Sequence, residues 1–508
     1  MLRSFKITTS NLDAQVSLYD GENTTIDNWI SVLIGQNGSR KSFILRQILD
    51  AATGETNKVG SKALNFESKG TNWDDGLSPD SITCISGTPL DRFPRMRNYS
   101  LGISISKSKQ GLRNEFLYLG PRASNGMTGT APSERALMTA LFLNADKLAG
   151  RAHLFNAIFS EVGFRPKIRI LLRLERELSM LGRRYNAKAP ALTSSLPERA
   201  MERIFKYSLR PFLDSGYVDN LGGRLEKALG RILNLDYYGF FELIKIFHSD
   251  DPPVFVFEDG RVQLESPSLD LFGIGGDELE VYIRAGIVLI SGTTFYKAQG
   301  DITHDTVSAA NDVELNGEDL SSGQWSWLAG FAGLCAGITQ ESLILIDEPE
   351  NSLHPIWQQT YVPTLNKILR EFKGSQAVIV THSPLIASGV DPEWGRVEAL
   401  LNQGVDEGGR QVVRSKTVNN TFGWRASDVY EEVFQVPSSR APAFTKTADI
   451  VLGLLRSGEP VSRYEYKFLK DELSRDLKTL PLTDPLRNVL NSIIKDLEAR
   501  LVQENNNV

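Results

Sequence analysis

The chain has 508 residues, more than one ordinary hydrophobic core accommodates, so we expect a main domain with an inserted or appended subdomain. The hydrophobic fraction of 41% is that of a soluble globular protein, and a net charge of −6 excludes a globally basic, nucleic-acid-binding composition. Two cysteines, Cys84 and Cys335, are too few for a disulfide framework or a zinc site. The longest apolar runs, such as Leu328 to Ile338, are too short to cross a bilayer, and no signal peptide is apparent. We therefore expect a cytoplasmic protein without a membrane segment.

A glycine-rich loop follows the first strongly apolar run, Trp29 to Ile34, and leads into residues 43–49, which have helical spacing. Strand, loop and helix in this order are typical of a phosphate-binding loop, whose backbone N–H groups and helix N-terminus favour an anion. The residues predicted to bind the nucleotide are Gly35, Gln36, Asn37, Gly38, Ser39, Arg40, Lys41 and Ser42. Lys41 should reach the β- and γ-phosphates, and Ser42 should hold Mg²⁺.

Arg40 departs from the pattern, which has glycine at this position. If the backbone there is left-handed, a side chain costs about 1–2 kcal/mol, although a cation beside phosphates could offset this. One interpretation is a tolerated variant with ordinary binding. The other is altered nucleotide affinity or slowed turnover, and our hypothesis is that ATP is bound but hydrolysed slowly, so that Arg40→Gly raises turnover.

The segment from about 133 to 250 has a helical pattern, and Arg169 to Arg184 is its most clearly amphipathic part. Within 161–215, lysines and arginines outnumber acidic residues. This basic segment is either a solvated helical face or a surface for nucleic acid or a partner. No interleaved aromatic residues support base stacking there.

The rest of the chain alternates strands and helices. We predict strands at Ser81–Ser86, Glu115–Leu119, Val254–Phe257, Leu279–Ile283, Ile287–Ile290, Leu343–Ile346 and Ala377–Val380. We predict helices at Gly323–Ala336 and Ile356–Phe372, and in a charged tail from about residue 420. The strands at 343–346 and 377–380 are continuously apolar, which is typical of buried parallel strands.

Three further motifs follow these elements. Ser321, Ser322, Gly323 and Gln324 stand before the apolar helix, in the sequence Leu-Ser-Ser-Gly-Gln. Asp347 and Glu348 end one buried strand, and His382 follows the next. A carboxylate at the end of a strand near the phosphate loop should bind Mg²⁺, and the adjacent Glu348 is placed to polarise an attacking water as general base.

The four motifs in this order resemble those of the ABC-type ATPases. The resemblance implies ATP and Mg²⁺ as cofactors, a metal site at Ser42 and Asp347, and catalytic roles for Lys41, Glu348 and His382, with His382 contacting the γ-phosphate. It also implies that Ser321, Ser322, Gly323 and Gln324 meet the ATP of a second chain, in a head-to-tail dimer that closes on ATP and opens on hydrolysis.

The branch of the class is indicated by Leu353-His354-Pro355, which resembles the RecF, SMC and OLD group rather than transporters, where Asp usually stands at the His354 position. A stand-alone head with a helical insert is similar to the PtuA ATPases of Septu and retron anti-phage defence systems, which work with a separate HNH nuclease, PtuB. Residues 86–93 and 420–423 support this resemblance.

The resemblance implies a sensor or regulatory subunit of a defence complex, forming a homodimer or higher oligomer. Its partners would be an HNH nuclease and, in a retron, a reverse transcriptase with its RNA and DNA. Nucleic acid is a further expected partner, and a membrane is not. The alternative is a RecF-like repair or recombination ATPase that acts on DNA directly. A third candidate, an energy-coupling ATPase of a transporter, is disfavoured by His354 and by the large insert.

The predicted fold class is α/β, an ABC-type P-loop ATPase head with a mixed sheet and flanking helices, a helical insertion and a helical C-terminal tail. The expected segments are an N-terminal lobe at 1–125, the insertion at 126–250, a C-terminal lobe at 251–400 and a helical region at 401–508. The glutamine that the family places in its lid is not identifiable. Asp91 is a candidate for a role near the site or for a structural turn.

Overall fold

The main sheet carries the motifs, and its central strands are parallel. The computed structural model describes residues 1–19, 28–36, 38–52, 66–73, 79–93, 103–107, 113–122, 128–175, 247, 252–265, 279, 281–283, 287–297, 312–418, 421–434, 436, 440, 442–457 and 462–506.

Eleven strands form the main sheet, in the order β4-β1-β2-β16-β15-β3-β14-β13-β5-β7-β6. Their bounds are β1 Leu2–Thr9, β2 Leu12–Ser17, β3 Trp29–Ile34, β4 Phe66–Trp73, β5 Ser81–Ser86, β6 Ile103–Lys107, β7 Arg113–Leu119, β13 Ser342–Asp347, β14 Gln376–Thr381, β15 Gly395–Val405 and β16 Gln411–Val418. The strands at the centre, β3, β14, β13 and β5, run parallel to one another, and all of their residues are buried. This confirms the parallel strands predicted from continuous apolar runs.

A second sheet has five strands, in the order β10-β9-β8-β11-β12. Its members are β8 Lys167–Leu174, β9 Val254–Glu258, β10 Arg261–Glu265, β11 Val288–Lys297 and β12 Val313–Asn316. The neighbouring strands in this sheet are all antiparallel.

The helix predicted over Arg169–Arg184 is therefore wrong for residues 169–174, and residues 176–184 lie outside the described part of the chain. In Lys167–Leu174, apolar residues alternate with mostly basic ones and every second residue is buried, which is the period of a strand rather than of a helix. The strand predicted at 279–283 is also wrong, since Leu279 and residues 281–283 are helical.

The helices in the described part of the chain are α1 Lys41–Ala52, α2 Thr130–Leu143, α3 Ala145–Leu148, α4 Ala152–Glu161, α5 Ser322–Trp327, α6 Gly333–Gly337, α7 Pro355–Leu369, α8 Pro384–Ala387, α9 Ala426–Glu432, α10 Pro442–Ser457, α11 Arg463–Thr479 and α12 Leu486–Asn506. Between α5 and α6 the chain forms a π-helical segment, Leu328–Ala332, so the apolar helix predicted at 323–336 is widened in its middle.

The region from 401 to 418 is not helical, contrary to the helical region expected at 401–508. Residues 401–405 complete β15, and residues 411–418 form β16. The reason is tertiary: β15 pairs with β3 and β16 pairs with β2, so both strands belong to the main sheet.

The chain divides into two compact units, Met1–Arg425 and Ala426–Val508. The second unit contains α9 to α12 and has its own apolar cluster around Val451, Leu473 and Leu497. Across the described residues, we find no helix long and apolar enough to cross a membrane.

Candidate nucleotide-binding site

The predicted catalytic residues lie together at the carboxyl ends of central strands in the main sheet. Parallel strands end at the same edge, and β13 and β14 end at Asp347 and Thr381, beside β3. The phosphate loop leaves the end of β3 and enters α1. The topology thus brings motifs that are about 300 residues apart in sequence to the carboxyl ends of adjacent strands.

Lys41 is buried, with 5% of its surface exposed, and its ammonium group is surrounded by the loop. Nζ donates to the carbonyl oxygens of Gly35 at 2.9 Å and Gln36 at 3.2 Å, and to Oγ of Ser39 at 3.3 Å. Burial lowers the pKa of Lys41 to about 8, although the carboxylates of Glu348, Glu350 and Asp347 oppose this shift. A desolvated cation at the N-terminus of α1 is suited to an anionic ligand.

Ser42 and Asp347 are in direct contact. Oγ of Ser42 donates to Oδ1 of Asp347 at 2.9 Å, and Asp347 is 1% exposed. Burial raises the pKa of Asp347 to about 7, helped by nearby carboxylates and opposed by the bond from Ser42. A desolvated carboxylate beside a hydroxyl offers the oxygen ligands that Mg²⁺ prefers, so these two residues fit the metal that the motifs imply.

Glu348 has a left-handed backbone, with φ 46° and ψ 58°, directly after β13. This turn aims its side chain at the loop after β14, where 3.6 Å separates Oε1 of Glu348 from Nε2 of His382. Nδ2 of Asn351 donates to the other carboxylate oxygen at 2.9 Å. Burial and the positive charge of Lys41 lower the pKa of His382, so its ring is neutral at pH 7.

Glu350 belongs to the site, although the sequence analysis assigned it no role. Its carboxylate accepts from Oγ1 of Thr381 at 2.8 Å and from the backbone N–H of His382 at 2.5 Å. Burial raises the pKa of this carboxyl. Glu350 thus fixes the backbone that carries His382. The pattern Asp-Glu-Pro-Glu was visible in the sequence, but only the fold shows what the last acid contacts.

Gly87 is a second residue that sequence reasoning missed. A Cβ at this position would lie 2.1 Å from the carbonyl oxygen of Glu348, and the Gly87 N–H donates to the carbonyl of Asp347 at 3.0 Å. Glycine is required because the loop after β5 packs directly on the backbone of the acidic pair.

The β15–β16 hairpin forms one wall of the phosphate loop. A Cβ on Gly35 would lie 2.8 Å from the carbonyl oxygen of Leu400. Arg40 has φ 64°, a left-handed backbone at the position where the phosphate-loop pattern has glycine. Its Nε donates to Oε1 of Gln411 at 3.0 Å. Of the predicted loop residues, Asn37 lies outside the described part of the chain.

The signature loop begins α5 with a capping box. The N–H of Gln324 donates to Oγ of Ser321 at 3.2 Å, and the N–H of Ser321 donates to Oε1 of Gln324 at 2.9 Å. Ser322 is exposed, whereas a Cβ on Gly323 would lie 2.6 Å from the carbonyl of Ser352. The loop therefore presents Ser322 outward from a fixed helix N-terminus.

Asp91 has contacts that favour the structural interpretation. Its buried carboxylate accepts from the hydroxyl of Tyr118 at 2.6 Å, from Nη2 of Arg122 at 2.7 Å and from the N–H of Phe93 at 3.0 Å. These bonds fix the turn after β5 onto β7. His354 caps α7, with the N–H of Ile356 donating to its Nδ1 at 3.4 Å.

Two of the four described cations of the basic segment are paired with acids. Arg165 contacts Asp312 at 2.9 Å, and Lys167 contacts Glu258 at 3.1 Å. This pairing supports a structural role for Arg165 and Lys167. Residues 176–215 lie outside the described part of the chain, so their predicted role stays a prediction.

A parallel-centred sheet, a phosphate loop at the end of β3, and an acidic pair and histidine after β13 and β14 define a P-loop ATPase head of the ABC type. This confirms the predicted fold class.

Comparison with known proteins finds similarity to one family and to two named ATPase-related proteins. Residues 238–388, which contain the signature, the acidic pair and His382, match a family described as AAA domain, putative AbiEii toxin, Type IV TA system. The chain resembles the Septu protein PtuA of Bacillus thuringiensis, 28% identical over 172 residues, which are 31% of this chain and 41% of that protein. It also resembles the retron Ec83 probable ATPase of Escherichia coli, 30% identical over 135 residues, which are 23% of each chain. The chain is thus similar to PtuA-like ATPases, and it spans less than half the length of either relative.

Solved structures with a detectable likeness include the SmcHead bound to the C-winged helix domain of ScpA, with a TM-score of 0.29, 12% identity, and coverage of 82% of this chain and 98% of that one. A Smc head domain with an extended coiled coil, bound to the C-terminal domain of ScpA from Pyrococcus furiosus, has the same TM-score and 13% identity, and covers 82% of this chain and 96% of that one. At these TM-scores the assignment of the fold rests on the sheet topology.

Proposed function

We propose that this chain binds and hydrolyses ATP with Mg²⁺. The observation that carries the proposal is the 2.9 Å bond between Ser42 and Asp347, beside the buried ammonium group of Lys41. A hydroxyl, a desolvated carboxylate and a desolvated cation meet beside the loop whose backbone donors would face an anion. This combination serves a metal–nucleotide complex better than either ligand alone.

The chemistry divides among the chain's own residues. Lys41 and the loop amides would bind the phosphates, and Ser42 and Asp347 would hold the metal, which would supply charge neutralisation when bound. Glu348 orients a water and accepts its proton. Its carboxylate takes no part in the bond between Ser42 and Asp347 and is oriented by Asn351. His382, neutral at pH 7, donates a hydrogen bond toward the γ-phosphate.

We also propose that two chains close head to tail around ATP. Ser322 is exposed at the N-terminus of α5, and its hydroxyl forms no hydrogen bond with any described residue of the same chain. An exposed hydroxyl at a capped helix start is a second anion site, which the phosphate loop of another chain would complete.

In the cell, the protein would act in the cytoplasm as the sensor or regulatory subunit of an anti-phage defence complex. Similarity to PtuA and to a retron ATPase supports this assignment. The expected partners are an HNH nuclease and, in a retron, a reverse transcriptase with its nucleic acid. The alternative is a RecF-like ATPase that acts on DNA directly. Purification with the proteins encoded beside it separates the two, because a nuclease partner supports the first and recombination proteins support the second.

Glu348→Gln tests the activity. The amide cannot accept the proton of water, so kcat should fall at least about 100-fold, whereas binding of ATP measured at equilibrium should stay within about threefold. Glu393→Ala, at an exposed position outside the site, serves as control. Full hydrolysis by the Gln variant would exclude Glu348 as the general base.

A further inference from the structure

Arg40 is paired with a side chain that none of the four motifs contains. Its Nε donates to Oε1 of Gln411 at 3.0 Å, and Nε2 of the same glutamine donates to the carbonyl of Gly38 at 3.2 Å. Gln411 begins β16, where the register places it opposite Leu12 of β2. One glutamine on a fixed strand therefore joins two points of the phosphate loop to the main sheet.

The backbone explains why the loop needs this support. Gly38 has φ 85° and Arg40 has φ 64°, so the loop turns through two left-handed positions within three residues. Glycine takes such a conformation without steric cost, whereas a residue with a Cβ does not. An unfavourable conformation persists only where the surroundings hold it. Here the N–H of Ile44 donates to the Arg40 carbonyl at 2.9 Å, and Gln411 holds the side chain.

We propose that Arg40 and Gln411 are positioning residues that pre-organise the phosphate loop for its ligand. The inference rests on the proposed ATP site. A loop that is already held in its binding shape loses less conformational entropy when the phosphates bind. The pair of Arg40 and Gln411, which we call the clamp, should therefore act on affinity. This proposal differs from the interpretation that Arg40 slows turnover. A clamp on the free loop favours the ground state and the transition state of the bound nucleotide equally, so it changes binding and not kcat.

Equilibrium binding of a fluorescent ATP analogue to the full chain tests the clamp. The variants are Arg40→Ala, Gln411→Ala and the double variant, with Gln403→Ala, at an exposed position of β15, as matched control. Gln411→Ala, which removes both contacts of the glutamine, should bind about fivefold more weakly, Arg40→Ala should lose less, and the double variant should be no weaker than Gln411→Ala. KM should rise while kcat stays within about twofold. Arg40→Gly, which also removes the steric cost, should bind more tightly than Arg40→Ala.

Three results would overturn the clamp. Weaker binding by Arg40→Ala with unchanged binding by Gln411→Ala would mean that Arg40 acts on the nucleotide directly. Losses that add in the double variant would show two independent contacts. A raised kcat in Arg40→Gly with unchanged affinity would place Arg40 in turnover. Failure of the natural chain itself to bind ATP would instead overturn the proposed function, and the clamp with it. Melting temperatures without nucleotide identify any variant that is merely unfolded.

Discussion

Asp347 shows how a single side chain is tuned by its place in the fold. Its carboxylate is desolvated at the end of β13, among the carboxylates of Glu348, Asp91 and Glu350. Each of these features disfavours its charged form, whereas the hydroxyl of Ser42 and the positive charge of Lys41 favour it. A bound cation would favour the charged carboxylate instead. Metal binding should therefore offset the free-energy cost of the desolvated charge.

The pH dependence of stability follows from this tuning. The pKa of Asp347 is about 7 in the folded chain, above the value of about 4 in an unfolded chain. The folded state therefore gains stability from the bound proton at low pH and loses it as the pH rises through 7. The natural chain should lose free energy of unfolding between pH 5 and pH 8, whereas Asp347→Asn, which is always neutral, should not. The difference in free energy of unfolding between the two chains should therefore grow by on the order of 2 kcal/mol over this pH range.

Urea titrations of the metal-free and nucleotide-free chain at the two pH values measure this difference. Addition of Mg²⁺ with ATP should reverse the ranking at pH 8, because a cation stabilises the charged carboxylate and Asn cannot replace it. A difference that does not change with pH would contradict the assigned burial of Asp347.

Gly87 gives a prediction from packing alone. In Gly87→Ala, the new Cβ would meet the Glu348 carbonyl at 2.1 Å, so the turn or the acidic pair must move. Overpacking of this kind costs about 1–3 kcal/mol. We expect a lower midpoint in urea and a lower kcat. Gly150→Ala is the matched control, because a Cβ there meets open space and both properties should be retained.

Among the elements, the two loops that follow β13 and β14 act as one unit through Glu350. The carboxylate receives the N–H of His382 and the hydroxyl of Thr381, both within hydrogen-bond distance. The signature helix α5 is fixed separately, through its aromatic residues. Nε1 of Trp325 donates to the carbonyl of Gly317 at 2.8 Å, and the rings of Trp327 and Phe331 pack at 4.5 Å.

Removal of the carboxylate should separate these loops. In Glu350→Ala, two donors lose their partner, at a cost of about 1–3 kcal/mol. His382 is then less well placed, and we expect kcat to fall about tenfold with ATP affinity little changed. Steady-state ATPase rates beside equilibrium binding measure this. An unaltered kcat would mean that the His382 loop is positioned by other contacts.

For the whole molecule, the composite site predicts complementation between two inactive chains. Lys41→Ala disables the phosphate loop and leaves the signature intact, whereas Ser322→Arg blocks the signature by bulk and charge and leaves the phosphate loop intact. Each variant alone should be inactive as an ATPase. When the two variants are mixed, some dimers contain one chain of each. In such a dimer, one site combines the intact phosphate loop of the Ser322→Arg chain with the intact signature of the Lys41→Ala chain, so part of the activity should return. A mixture as inactive as its components would contradict a head-to-tail site.

The local sequence determined the motifs and the elements that carry them. Continuous apolar runs gave the central parallel strands, and capping residues such as Ser321 marked the start of α5, because these depend on neighbours within a few residues. The backbone at Arg40 is left-handed, which is the condition under which its side chain carries a steric cost.

Only the tertiary structure decided the rest. The β15–β16 hairpin, expected in part to be helical, pairs with strands near the start of the chain and brings Gln411 to the phosphate loop. Gly87 and Glu350 entered the site in the same way, through contacts with residues distant in sequence. Such contacts depend on which strands become neighbours, and strand order is fixed by long-range pairing that no local pattern encodes.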